Sequence, residues 1–249
     1  MAFLQADKTF AANGVTVKEY LLTEHNPNKI DMPGKRVKPL LGITIHNTDA
    51  IKVNGTTMAE QYTRATVNGN MNTVRVHFYV DEVEAWQGLP LDRQGWHSTD
   101  GGGDGNTATI AIEVIGDSGA AEENAARLTA WLLDKFGLDT SAVFTHTYWL
   151  NVRDGKGEGL DKDARCTLPH PYKVCPIWII PHWGVFLNSV ESFRVKPSGS
   201  VAASAGAKAA AEAGDKIWGV CRWCSSKAEA ETLANILGEG FATVSKKRG

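Results

Sequence analysis

The chain has 249 residues, 43% of them apolar and 22% charged, a globular composition with length for one sizeable core and a small extra module. With 26 Lys and Arg against 28 Asp and Glu the net charge is −2, so no bulk positive field exists to hold a nucleic-acid backbone. Apolar runs such as Ile177 to Ile180 fall far short of the ~20 residues of a membrane span, so none is expected. The start, Met1-Ala-Phe-Leu-Gln-Ala-Asp7, lacks a basic segment followed by an apolar one, which predicts synthesis in a cytoplasm without a signal peptide. Four cysteines are too few for a disulfide scaffold and direct attention to metal binding or thiol chemistry.

In chain order, residues 1–40 mix polar residues with Pro27, Pro33 and Pro39 and read as an irregular lead-in. Leu41-Gly-Ile-Thr-Ile-His46 is a strand with β-branched residues on both faces, hence internal to a sheet. A helix is expected from Thr56 to Val67, ended by Asn68-Gly69-Asn70. Val74 to Val80 alternates with period two, as a half-buried strand does. Ile110-Ala-Ile-Glu-Val-Ile115 is apolar except for one carboxylate. Glu122 to Phe136 is the clearest helix, with Ala125, Leu128, Trp131, Leu132 and Phe136 on one face and Gly137 as its stop. A strand from Ala142 to His146, a hydrophilic insertion from Asn151 to Arg165 and a last helix from Pro181 to Phe193 complete an α/β layer fold at residues 1–193.

Residues 194–214 collapse to Ala, Ser and Gly and read as a linker. Residues 215–249 predict a small βαβ-like module: strand (Ile217 to Arg222), helix (Ser226 to Leu237), strand (Phe241 to Val244).

Three side chains could make a zinc site, which is built from His nitrogen and Cys thiolate. His46 and His146 stand at the ends of expected strands, where open α/β sheets collect functional groups, and Cys175 sits in Lys173-Val-Cys-Pro176. Each has an ordinary structural reading too: a strand-end His is more often a hydrogen-bonded framework residue, and a Cys before Pro is usually just buried. A third reading makes Cys175 a thiol nucleophile with His146 as its base. Glu113, in the middle of an apolar strand, needs a partner: a cation such as Arg75, or a site where a raised pKa makes it a general base. Lys173 would lie near the same centre and could stabilise an oxyanion.

The order of six segments, Ile43-Thr-Ile-His-Asn-Thr48, Val76-His-Phe-Tyr-Val-Asp81, Leu89-Pro-Leu-Asp-Arg-Gln-Gly-Trp-His97, Asn106-Thr-Ala-Thr-Ile-Ala-Ile-Glu113, Thr145-His-Thr-Tyr-Trp149 and Lys173-Val-Cys-Pro176, resembles the zinc-dependent N-acetylmuramoyl-L-alanine amidases of the amidase_2 type, relatives in fold of the peptidoglycan recognition proteins. The likeness spans roughly residues 15–193 and is nearest to phage endolysins and prophage autolysins. It implies a mixed central β-sheet flanked by helices and a hydrolase that cleaves the bond between N-acetylmuramic acid and L-alanine of peptidoglycan. It further implies Zn²⁺ on His46, His146 and Cys175, Glu113 as general base, Lys173 beside the oxyanion, and His97, Trp96 and Asn47 against the substrate. The alternative within the same fold is a recognition protein that binds peptidoglycan without cutting it.

Two departures from the family pattern matter. Where some members have a Tyr before the His-Phe pair this chain has Val76, so Glu113 must carry the base role alone; and Thr167 stands where many members have their second His, which leaves His146 as the ligand and His170 as its rival. His77 is expected to be a supporting structural residue near the site, His25 and His182 to be uninvolved, and Trp86 to pack or to stack on a sugar. The C-terminal module is weakly similar to SPOR-type peptidoglycan-binding repeats; as half of such a module it would pair into a homodimer, and its Cys221 and Cys224 would point to opposite faces of a strand.

Overall fold

The computed structural model describes residues 3–48 and 57–195. The expected linker and terminal module lie outside the described residues from 196 onward, and so do Cys221, Cys224 and the expected dimer contact. The unit that holds the described residues runs from Met1 to Val195.

Seven strands form one mixed sheet in the order β1-β2-β5-β4-β6-β3-β7. At its centre, β3 (Gly42–Thr48) runs parallel to β6 (Thr109–Ile115), with Ile45 beside Ile112 and His46 beside Glu113. Both strands are covered on both faces: β6 is apolar except for Thr109 and Glu113, while β3 buries Thr44, His46 and Asn47 beside Ile43 and Ile45. Successive side chains leave opposite faces of a strand. Ile43, Ile45, Ile110, Ile112 and Val114 therefore join one core with Leu128, Leu132, Phe186 and Val190, while Ala111 and Ile115 join a second with Tyr79, Ala59 and Tyr62. His46 and Glu113, being register partners, share the second face.

The first core is closed by α3 (Gly119–Phe136) and α6 (Trp183–Phe193). Ser118 caps α3 by accepting the N–H of Ala121 at 3.1 Å, and Gly137 ends it at φ 65°, a left-handed cap that glycine adopts without strain. Ala125, Leu128 and Leu132 are buried as expected, but Phe136, on the last turn, is 37% exposed and the second buried row runs through Ala126, Thr129 and Leu133. The second face is covered by α1 (Met58–Val67), capped by Thr57. Buried Asp81 ties α1 to β4 (Phe78–Val80), since its carboxylate accepts the N–H of Ala59 at 2.8 Å.

Four expectations change. The lead-in holds a hairpin, β1 (Lys8–Ala12) and β2 (Val15–Glu19), turned at Asn13 (φ 47°) and Gly14 (φ 90°); β2 then pairs in parallel with β5 (Ala85–Gln87). The strand expected from Val74 shortens to β4, because Arg75 leaves the ladder to bridge Trp96 and gives its guanidinium to the carbonyls of Asp31, Asn72 and Val74. The hydrophilic insertion contains the end of α4 (His146–Arg153) and the start of α5 (Lys162–Thr167), which Asp161 caps. Pro181 lies in a short 3-10 turn, Ile180–His182, so the last helix starts at Trp183. A short helix, α2 (Asp104–Ala108), leads into β6.

Candidate metal centre

β7 (Val143–Thr145) lies on the far side of β3 from β6 and stops one residue before His146. The expectation that His146 ends a strand is therefore corrected: Thr145 caps α4 by accepting the N–H of Tyr148 at 2.9 Å, and His146 is the first helical residue. The start of α4 is fixed to the sheet by a one-way chain of buried hydrogen bonds. Trp149 Nε1 donates to Thr44 Oγ1 (2.8 Å), Thr44 to Thr109 Oγ1 (2.8 Å), and Thr109 to the carbonyl of Gly105 (2.6 Å). The direction follows from the indole at one end, which only donates, and the carbonyl at the other, which only accepts.

His46, His146 and Cys175 converge from β3, α4 and the loop before α6. One donor atom from each lies within 4.8 Å of the other two, and all three residues are buried. Cys175 Sγ is 3.9 Å from His46 Nδ1. Bonds of about 2.3 Å to sulfur and 2.0 Å to nitrogen at a tetrahedral angle need a sulfur–nitrogen separation of about 3.5 Å, near the 3.9 Å between Cys175 and His46. His146 Nδ1 is a buried nitrogen with no hydrogen-bond partner, as a nitrogen reserved for a metal must be. Two imidazoles and one thiolate are the donor types zinc takes in a catalytic site, so the residues present fit the ion the fold implies.

The electrostatics favour the same reading. Burial pushes His146 down to about 3, helped by Lys173, and pushes His46 well below its usual range, so both rings are neutral and keep a lone pair. Burial, with the nearby Glu113 charge, pushes the Cys175 thiol up to about 12. Without a bound cation Cys175 is thus a neutral thiol and no activated nucleophile, whereas a metal ion would draw off its proton on binding. Glu113 reaches His46 Nδ1 at 4.0 Å, its side chain only 12% exposed, and burial raises it to about 7 while Lys173 opposes the rise. An ion pair of Glu113 with Arg75 is excluded, because that guanidinium is occupied by backbone carbonyls. The Lys173 side chain is exposed at the edge of this group, and its charge bears on His46, His146, Glu113 and Cys175 alike.

The other named residues lie as follows. His170 is no ligand: its Nε2 faces Asp154 at 3.1 Å and its Nδ1 accepts the N–H of Tyr172 at 3.2 Å. Asn47 holds the loop behind Cys175, accepting the N–H of Trp178 and donating to the carbonyl of Val114, both at 3.3 Å. Trp96 is half-buried, and its backbone pairs with Arg75. The His97 ring packs edge-on against His46, the centroids 5.0 Å apart. His77 is outside the candidate ligand set, bonded to the carbonyl of Arg93 and the N–H of Ala111. His25 and His182 pair on the surface with Asp7 and Glu122. Trp86 is core, its indole bonded to Glu84 at 2.7 Å. Sequence reasoning missed Thr99 and Thr147, which touch His146 and Cys175; a threonine carries no signal of that role until the loop places it.

Comparison with known proteins identifies the family. The family model Amidase_2, N-acetylmuramoyl-L-alanine amidase, matches residues 36–166, more than half of the chain. The N-acetylmuramoyl-L-alanine amidase XlyA of Bacillus subtilis is 38% identical over 121 residues, 47% of this chain and 39% of its own length. CwlH of the same organism is 30% identical over 189 residues, 74% of this chain and 64% of its own. The chain thus spans less than two thirds of either relative. The solved catalytic domain of XlyA superposes with a TM-score of 0.54 at 27% identity, covering 71% of this chain and 99% of that domain. A mutant endolysin from Bacillus subtilis gives 0.55 at the same identity and coverage. The chain belongs to the Amidase_2 family of N-acetylmuramoyl-L-alanine amidases.

Proposed function

We propose that this protein is a peptidoglycan hydrolase of the endolysin or autolysin kind, cleaving the amide bond between N-acetylmuramic acid and L-alanine with zinc held by His46, His146 and Cys175. The observation that carries the reading is the convergence of three buried donors, His46, His146 and Cys175, with the Glu113 carboxylate 4.0 Å from the first of them. Zinc bound by such a set lowers the pKa of water towards about 7 and polarises a carbonyl oxygen. Glu113, raised by burial, is matched to taking a proton from the attacking water near neutral pH and handing it to the departing amine of L-alanine. Lys173 supplies the positive charge that an oxyanion at the edge of the site would meet. Trp96 is the half-buried aromatic left free to face substrate. Asn47 uses both ends of its amide inside the protein, and His97 keeps only Nε2 without a partner.

The test is a turbidity assay on purified cell walls with and without a chelator, together with detection of freed L-alanine amino termini. Loss of clearing on metal stripping, restored by zinc, is the expected result. Clearing that survives stripping overturns the zinc mechanism, and binding to walls without release of amino termini supports a recognition protein instead.

A further inference from the structure

Both histidines of the candidate zinc site present Nδ1 to the centre, and one loop occupies the other nitrogen of each. His46 Nε2 lies 3.0 Å from His97 Nδ1, and His146 Nε2 lies 3.2 Å from Thr99 Oγ1. A neutral imidazole carries one proton, and the nitrogen without it is the one that can bind a metal. If Nδ1 is to stay bare, the proton must sit on Nε2 and have an acceptor there. His97 Nδ1, when it carries no proton, is such an acceptor for His46; the Ser98 hydroxyl lies 2.8 Å from the same nitrogen. Thr99 Oγ1 accepts from His146.

The loop is built to hold these positions. Asn106 Oδ1 accepts the N–H groups of both His97 (2.7 Å) and Ser98 (2.8 Å), and Arg153, from the end of α4, donates to the carbonyl of Thr99 at 2.9 Å. Thr99 sits at φ 57°, a left-handed backbone that a β-branched residue avoids. Gly95 makes room for the fold-back, since a Cβ there would run into the His97 ring. Strain kept in place by surrounding bonds points to a role at the site the strained residue touches.

We infer that His97 and Thr99 are positioning residues that together fix the Nε2–H tautomer of His46 and His146, so that a single loop sets the metal affinity of the centre. This rests on the zinc reading above and adds to it a source of affinity outside the three ligands. Outer partners of metal-bound histidines change affinity by about 10- to 100-fold when removed.

The experiment uses the full chain and zinc alone as ligand, with affinity read by competition against a chromophoric chelator. Thr99→Val and His97→Ala should each bind zinc about 10-fold or more weakly, while Thr99→Ser, which keeps the hydroxyl, and His97→Asn, whose Oδ1 stands in for Nδ1, should stay within about threefold of wild type. Thr99→Gly separates the role from simple packing: relieved of strain, its metal-free form should melt no lower than wild type while its zinc affinity falls. Long-range proton–nitrogen correlation spectra of the zinc-loaded wild type should show His46 and His146 protonated on Nε2. Unchanged zinc affinity in Thr99→Val and His97→Ala, or metal on Nε2, overturns this inference alone. A wild type that takes up no zinc at all overturns the function proposed above and this inference with it.

Discussion

Thr147 and Cys175 grip each other from both sides of their backbones. The N–H of Cys175 donates to Thr147 Oγ1 at 2.7 Å, and the N–H of Thr147 donates to the carbonyl of Cys175 at 2.9 Å. The pair ties the first turn of α4, which carries His146, to the loop that carries Cys175, two candidate ligands 29 positions apart in sequence. Thr147→Val removes the oxygen that takes the buried Cys175 N–H, and an unpaired buried donor costs about 1–3 kcal/mol. For a unit of this size that lowers the melting temperature by roughly 2–10 °C. Thr147→Ser keeps the acceptor and should recover most of the loss. Equal melting of Thr147→Val and wild type, by circular dichroism or calorimetry, refutes the clamp.

Two substitutions separate holding the metal from using it. Cys175→Ser replaces a thiolate by a far poorer zinc ligand, and zinc content measured after dialysis should fall to near zero along with activity. Glu113→Gln keeps the shape of the side chain and removes its basicity, so zinc should stay while turnover falls about 10²- to 10⁴-fold. Full zinc occupancy in Cys175→Ser removes it from the ligand set; an active Glu113→Gln removes the general base.

Lys173 should set where activity fails in acid. A base works only when deprotonated, so turnover falls as pH drops through the pKa of Glu113, which burial raises to about 7 against the pull of Lys173. Bound zinc, being positive, moves that limb to lower pH. Lys173→Met removes a positive charge that favours the ionised carboxylate, and the acid limb of kcat/KM should therefore move to higher pH. A limb that stays in place, or moves the other way, shows that Lys173 does not act on Glu113. The peak rate should fall as well, because the same lysine faces the developing oxyanion in the proposed reaction.

The central strands, the long helix and the three donors of the candidate metal site were legible in the sequence because each has a local signature: β-branched residues on both faces of β3, a near-continuous apolar run at β6, a 3.6-residue stripe ending in Gly137, and His and Cys within recognisable segments. The β1–β2 hairpin has a local signature too, Asn13-Gly14 between Ala12 and Val15, the pair best suited to a two-residue turn with both φ angles positive. His146 was placed on the wrong element because Thr145 serves two purposes, last residue of β7 and cap of α4, and periodicity cannot show that change within one residue. The partners of the ligands were not legible at all. Thr99 meets His146 and Thr147 meets Cys175 only after the chain has folded, and nothing in the local composition distinguishes these threonines from their neighbours.

His77 makes the fold sensitive to acid through a ring outside the candidate ligand set. Its ring is fully buried, with Nε2 donating to the carbonyl of Arg93 at 3.0 Å and Nδ1 accepting the N–H of Ala111 at 3.1 Å. A second proton would have to go on Nδ1, against that N–H, and burial already holds the pKa down at about 4 against an ordinary 6.5. Because the unfolded chain binds this proton more readily than the folded one, the stability is fully present above about pH 6.5 and is lost as the pH falls towards 4. The gap is worth about 3 kcal/mol once the pH is below both values. Gln in this place can still donate to Arg93 but cannot titrate. His77→Gln should therefore be less stable than wild type at pH 7.5, and the difference should shrink by up to about 3 kcal/mol by pH 4 in urea unfolding followed at several pH values. His46, His97 and His146 are also held down by burial, so both proteins lose stability in acid and only the difference between them reports on His77. Curves that run parallel from pH 7.5 to 4 would mean that His77 takes up its proton as easily inside the fold as outside it.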